Sequence, residues 1–360
     1  MKEREMIKLT PIRNLCFINN DIWFTSRGIN ALFKYCYNTK KTKYYPIDKG
    51  GNLHRDYVYL APSCFENKLY IPPVYDKGFI EFDIETGDVS RILTPNSQRD
   101  CNFGFSYCIG EKIFCIPNCM DGPFVTFDMK EKKETQNAIF FPEEYRKITC
   151  YPIYSQKMSD NEFCGLIIPN NIIYFLNSIS GEFRFLYNES IKGEINSFYV
   201  SEENIFIHVD GKIIVTDLNM NIVCEKVLDI NEKIYFIGSM DGKIFADILN
   251  SPIKYLLEYK EGKIKIEKFD ESATFISTSG SRYGAIQYDK AENRYLYYGG
   301  GSNGIYEFKN GITKFIKFEL LEEDYIKITN DYLEILRNGS MSHENYIFNV
   351  ESFVKGVTKL

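Results

Sequence analysis

A guanidinium captures carboxylate or phosphate bidentately and stacks on aromatic rings, so where a chain places its scarce arginines is informative. Eleven Arg stand against 32 Lys, and Arg27, Arg55, Arg99, Arg282 and Arg337 fall in polar, irregular segments at residues 25–30, 50–56, 96–101, 278–283 and 337–343. Gathered from separate elements, they would form an anion-recognising funnel, with Tyr75 and Phe103 from neighbouring loops as stacking surfaces. The adjacency of Arg55 to Asp56 and of Arg99 to Asp100 fits local salt bridges equally well, and both readings stand.

Proton-transfer chemistry has three candidates: His54 beside Arg55 and Asp56, Tyr283 beside Arg282, and His343. The three histidines, His54, His208 and His343, could hold a divalent cation only by meeting across a wide space, since none shares a His-x3-His spacing with another. Solvated loop histidines are therefore expected, and no metal. Ten cysteines sit mostly in apolar runs such as Ile113-Phe114-Cys115-Ile116, where a thiol behaves as a small hydrophobe. Cys115-x3-Cys119 has no second pair at zinc-site distance, so the thiols read as reduced, in a cytoplasmic protein. A Gly-x-Ser-x-Gly elbow, a Walker loop and a dinucleotide fingerprint are missing, and Gly299-Gly300-Gly301 joins two strand-like runs without a following helix. No cofactor is expected.

The rest of the composition narrows the partners. The 360 residues are 44% hydrophobic and 26% charged, with a formal charge of −6, which provides no global basic field for nucleic acid or anionic lipid. The N-terminal residues show no secretory pattern, and no run approaches eighteen apolar residues, so no membrane association is expected. With 27 Tyr and 28 Phe beside a single Trp, the chain favours strands.

Those strands repeat. A first hairpin turn recurs at Asn19-Asn20, Glu66-Asn67, Gly110-Glu111, Asp160-Asn161, Glu202-Glu203, Asp241-Gly242, Ala291-Glu292 and Thr329-Asn330-Asp331. A second follows each of the first seven by about twenty residues, as at Thr86-Gly87 and Asn310-Gly311. Four short strands in each unit of roughly 40 to 50 residues mean a propeller blade. The expectation is an all-β, single-domain β-propeller over residues 1–360 with eight four-stranded blades, or seven if the fourth or sixth unit is misparsed. Residues 6–10 have no obvious partner and are expected to close the ring by pairing with the last blade.

The segment Asn67-Lys68-Leu69-Tyr70-Ile71, then Phe82-Asp83-Ile84-Glu85-Thr86-Gly87-Asp88, resembles a kelch-type or quinoprotein-type blade, echoed at 21–24 and 122–128. The resemblance implies shape and little chemistry, because propellers host enzymes, lectins and scaffolds alike. Topology sorts the loops: short first-to-second and third-to-fourth turns share one face, and the longer loops and crossovers share the other, where function is expected. Two classes of function follow. One is a non-catalytic or weakly catalytic recognition module for an anionic small molecule, a glycan-like ligand or a peptide. The other is a lyase or hydrolase for an acidic sugar or modified peptide, with Arg neutralising the substrate and His or Tyr moving the proton. A protein partner on the rim is a third option.

Overall fold

The computed structural model describes residues 9–11, 14–27, 29–47, 58–99, 102–135, 138–146, 151–228, 233–248, 253–270, 285–298 and 303–337. They form a seven-bladed β-propeller, each blade an antiparallel sheet of four strand positions in chain order.

In blade one the inner position is split between β1 (Thr10–Pro11) and β2 (Cys16–Ile18), both paired with β3 (Asp21–Arg27), followed by β4 (Ile29–Cys36) and β5 (Lys41–Pro46). Blade two is β6 (Ser63–Phe65), β7 (Lys68–Ile71), β8 (Phe79–Asp83) and β9 (Val89–Ile92). Blade three is β10 (Phe103–Ile109), β11 (Lys112–Pro117) and β12 (Pro123–Asp128), with a broken outer position shared by β13 (Lys133–Glu134) and β14 (Ile139–Phe140). Blade four runs β15 (Tyr151–Lys157), β16 (Glu162–Ile168), β17 (Ile172–Asn177) and β18 (Phe183–Leu186). Blade five is β19 (Ile195–Val200), β20 (Asn204–Val209), β21 (Lys212–Asp217) and β22 (Ile222–Val227). Blade six is β23 (Ile234–Met240), β24 (Lys243–Ile248), β25 (Ile253–Lys260) and β26 (Lys263–Asp270), and blade seven β27 (Ala285–Asp289), β28 (Arg294–Tyr298), β29 (Gly304–Lys309) and β30 (Ile312–Lys317).

Local chemistry explains the hairpins. The turns need left-handed residues, and Asn19 (φ 50°), Asn20 (φ 66°), Asp241 (φ 50°) and Gly242 (φ 76°) provide them. Between third and fourth strands one device recurs: a carboxylate or amide at the strand end accepts backbone N–H groups of the turn. Asp83 Oδ1 accepts from Glu85 and Thr86, both at 3.0 Å, Asp128 Oδ1 from Glu131 at 2.9 Å, Asn177 Oδ1 from Ile179 at 3.0 Å and Asp217 Oδ1 from Asn219 at 2.8 Å. The repeated Phe-Asp of the sequence is this turn.

The aromatic content is used between blades. Among the described residues, buried apolar side chains fall into seven clusters, one at each joint of the ring. Phe79 stacks on Phe127 at 4.1 Å between blades two and three, and Phe114 on Phe163 at 4.2 Å between blades three and four. The joint of blades seven and one is built the same way, from Leu9, Phe24 and Phe33 against Tyr298, Ile305 and Phe318.

Among the described residues there is no eighth blade, so the seven-bladed alternative holds, and the surplus unit is the last one rather than the fourth or sixth. Its place in the chain is taken by helix α1 (Glu322–Arg337). The Thr329-Asn330-Asp331 segment lies mid-helix. Tyr325, Ile328, Tyr332 and Ile335 recur at helical spacing, and Glu322, Glu323 and Asp324 fill the first turn, where the helix dipole favours negative charge. Ahead of the helix, Leu320 makes a parallel bridge to Thr42 of β5, and the Tyr44 hydroxyl donates to Asp331 at 2.9 Å. The C-terminal side of the chain thus covers the outer edge of blade one. At the other end, Thr10 pairs with Arg27 inside blade one, and blade seven holds four strands of its own. Residues 6–8 of the expected closing strand lie outside the described residues.

Polar clamps reinforce the joints. Gln287 on β27 accepts from Leu15 N at 2.9 Å and donates to Leu15 O at 3.0 Å, and Gln156 on β15 holds Val200 of blade five identically at 2.9 and 2.6 Å. Removing Gln287 with Gln287→Ala strands a part-buried backbone pair and is expected to cost roughly 1–3 kcal/mol. Urea unfolding followed by fluorescence of the buried Trp23 measures it, and an unchanged midpoint would show that the clamp contributes nothing.

Candidate functional site

The short-turn face is uniform; the opposite face carries the second-to-third loops and the crossovers between blades. Its loops are stitched by one repeated contact. Asn30 Oδ1 accepts from Val58 N at 3.1 Å, Asn171 Oδ1 from Ile195 N at 2.9 Å and Asn303 Oδ1 from Leu9 N at 2.8 Å, each joining one blade to the chain entering the next.

His208, at the end of β20, fills the same position. Its Nδ1 accepts from Ile234 N of blade six at 3.4 Å, and its ring is 1% exposed. Burial lowers its pKa to about 4, with Asp210 opposing and Lys233 adding to the fall. Among the described residues its Nε2 has no hydrogen-bond partner. The expectation of a solvated loop histidine or metal ligand is therefore corrected: His208 is a buried, neutral interblade latch. Among the described residues, no group of three or more His, Cys, Asp or Glu is placed to hold a metal.

The polar groups that do converge lie over blades two and three. Tyr75, in the loop after β7, exposes 43% of its surface, and its hydroxyl accepts from Asn118 Nδ2 at 3.1 Å. Asn118 in turn sits against Gly104 at the start of β10, where an added Cβ would lie 3.0 Å from its Oδ1 and would make Asn118 shift. Next to Tyr75, Asp76 Oδ2 takes Arg91 Nη1 at 2.6 Å and the Tyr59 hydroxyl, while the Asp76 carbonyl accepts from Asn102 Nδ2 at 2.6 Å. One loop further, Arg99 Nη2 pairs with Asp121 Oδ2 at 2.7 Å. The Cys119 thiol and then Arg99 hold the Asp121 carboxyl below its usual range.

Arg99 is thus engaged in a salt bridge with Asp121, while Asp100 lies outside the described residues. Phe103 is corrected outright: it is fully buried in the joint of blades two and three, 5.9 Å from Phe79, and offers no face to a ligand. Arg337 ends α1 instead of lying in an eighth-blade loop, and Arg27 ends β3. His54, Arg55, Arg282, Tyr283 and His343 lie outside the described residues. Asp76, Arg91 and Asn118 escaped the sequence reading, because Arg91 comes from an outer strand and reaches Asp76 only once blade two is folded.

No family model and no curated protein sequence matches the chain. Solved structures do. The WD40 repeats of RRP9 superpose with a TM-score of 0.56 at 11% identity, over 81% of this chain and 88% of that one. A catalytically inactive virginiamycin B lyase from Staphylococcus aureus, solved with quinupristin, gives 0.55 at 13% identity over 87% and 95%. YCF48 from Cyanidioschyzon merolae gives 0.58 at 11% identity over 82% and 94%. The likeness shows the fold alone. The propeller expected from the repeats is what these neighbours share with the chain, while nothing in them singles out a kelch-type blade.

Proposed function

We propose that the protein is a recognition module that binds a peptide on the loop-rich face across blades two and three. The observation that carries this is Tyr75: a large ring exposed on a loop-rich face, held at its hydroxyl by Asn118 and flanked by the Asp76–Arg91 and Arg99–Asp121 pairs. A tyrosine fixed in this way buries area with little loss of side-chain freedom on binding, which is why such rings serve as anchors. The mixed charge around it suits a polar chain with both donors and acceptors better than a simple anion. WD40 repeats among the structural neighbours fit a protein or peptide partner on the same scaffold.

Fluorescence polarisation against a panel of acidic, neutral and basic peptides, with sialylated and neutral glycans alongside, tests the reading. A peptide should bind, and Tyr75→Ala should weaken it about tenfold or more, an anchor loss on the order of 2 kcal/mol. Arg99→Ala, which breaks an exposed pair, should change affinity by under about 1 kcal/mol. A panel of glycan binders only, or a bound peptide indifferent to Tyr75→Ala, overturns it.

A further inference from the structure

We propose that Cys16 and Cys64 are a peroxide-responsive thiol pair that closes to a disulfide between the inner strands of blades one and two. Three cysteines lie near the first hairpin turns of consecutive blades: Cys64 on β6 and Cys108 on β10 at the same register position, and Cys16 on β2 one residue further from its turn. Cys16 pairs in register with Trp23 and Cys64 with Leu69, and both thiols pack against the apolar cluster that joins blades one and two. Strands β2 and β6 lie side by side there. The two sulfurs are within hydrogen-bonding reach, and the Cys64 backbone N–H also donates to the Cys16 sulfur. Both residues are half-buried, so small oxidants reach them, whereas Cys115 and Cys164 are fully buried.

The hydrogen bond sets the roles. Donation from Cys16 lowers the pKa of Cys64 against the opposing effect of burial, and the same bond, then burial, raises that of Cys16. Cys64 is the attacking thiolate and Cys16 the resolving thiol. Cys64 and Cys108 each donate to a turn carbonyl, Glu66 O at 3.4 Å and Gly110 O at 3.6 Å, but only Cys64 also accepts from Cys16. Cys108 meets the Ser63 side chain instead and its pKa is raised, by burial, which leaves it a bystander.

The chemistry balances with hydrogen peroxide as oxidant. The Cys64 thiolate attacks one peroxide oxygen, the O–O bond breaks, and the departing hydroxide takes a proton to leave as water, with Cys64 as sulfenic acid. The Cys16 sulfur then attacks the Cys64 sulfur; the S–S bond forms as the S–O bond breaks, and the released hydroxide takes the Cys16 proton as a second water. Two thiols lose two electrons, and the peroxide gains them. The product ties two blades covalently and restricts the unfolded chain.

The test uses the full chain treated with stoichiometric hydrogen peroxide, alkylated with N-ethylmaleimide and digested without reductant for mass spectrometry. A peptide linked through Cys16 and Cys64 is expected, lost with dithiothreitol and unchanged in Cys108→Ser. Cys16→Ser should abolish the link and leave a Cys64 sulfenic acid that dimedone traps, while Cys64→Ser should leave Cys16 alkylated; circular dichroism confirms that each variant is folded, with Cys16→Ala replacing Cys16→Ser if it is not. A link between Cys64 and Cys108, an unlinked wild type with oxidised Cys64, or a Cys64 that alkylates no faster than Cys115 overturns the proposal.

Discussion

Replacing Arg294 by methionine is expected to destabilise the protein by on the order of 3–5 kcal/mol, because it leaves two carboxylates without their cation. The Arg294 side chain is 3% exposed and lies 2.8 Å from Asp289 Oδ2 and 2.7 Å from Glu307 Oε2. It also donates to Asn20 Oδ1 at 3.1 Å and lies over the Tyr37 ring at 4.2 Å, both in blade one. One guanidinium therefore joins blade seven to blade one on the short-turn face, opposite the Asn303 latch. Tyr37 donates to Glu307 at 3.3 Å, and burial pushes its phenol well up, so it stays a neutral donor. Urea unfolding monitored at Trp23 measures the loss. The triple variant Arg294→Met, Asp289→Asn, Glu307→Gln should recover much of it, since the penalty lies in unpaired charge rather than missing contact. A single variant within about 1 kcal/mol of wild type would mean that water reaches these carboxylates once the cation is gone.

The second large effect is a pH dependence centred on His208. Its folded pKa of about 4 lies below the ordinary 6.5, so between those values the unfolded chain holds a proton that the folded chain lacks. The latch is therefore at full strength above about pH 6.5 and weakens as pH falls toward 4, by roughly 3 kcal/mol over that window. Protonation would also give Nδ1 a hydrogen facing the Ile234 N–H it now accepts from. His208→Asn installs the residue that does this work at positions 171 and 303 and removes the titration. The difference in unfolding free energy between wild type and His208→Asn, measured from pH 8 to 4, should change across the window; a constant difference would place His208 in water.

Much of the architecture was legible before folding was considered, because hairpins are local. Asn19-Asn20, Asp241-Gly242 and the repeated Asp at the third-strand end act within a few residues, through backbone φ and short hydrogen bonds. The first seven units therefore read correctly as blades. The eighth did not, since Thr329-Asn330-Asp331 has turn composition but lies within an apolar repeat of helical spacing, and packing Ile328 into the joint of blades seven and one favours the helix. What only the tertiary structure decided is which side chains meet across blades. His208 looks like any loop histidine until Ile234 of the next blade closes over it, and Arg99 bonds Asp121 from a different loop. Such contacts depend on the twist and spacing of whole sheets, which local residue chemistry does not encode. For the same reason Phe103, a loop-edge aromatic by sequence, spends its ring in the core: burial of so large an apolar surface outweighs any preference for the channel mouth.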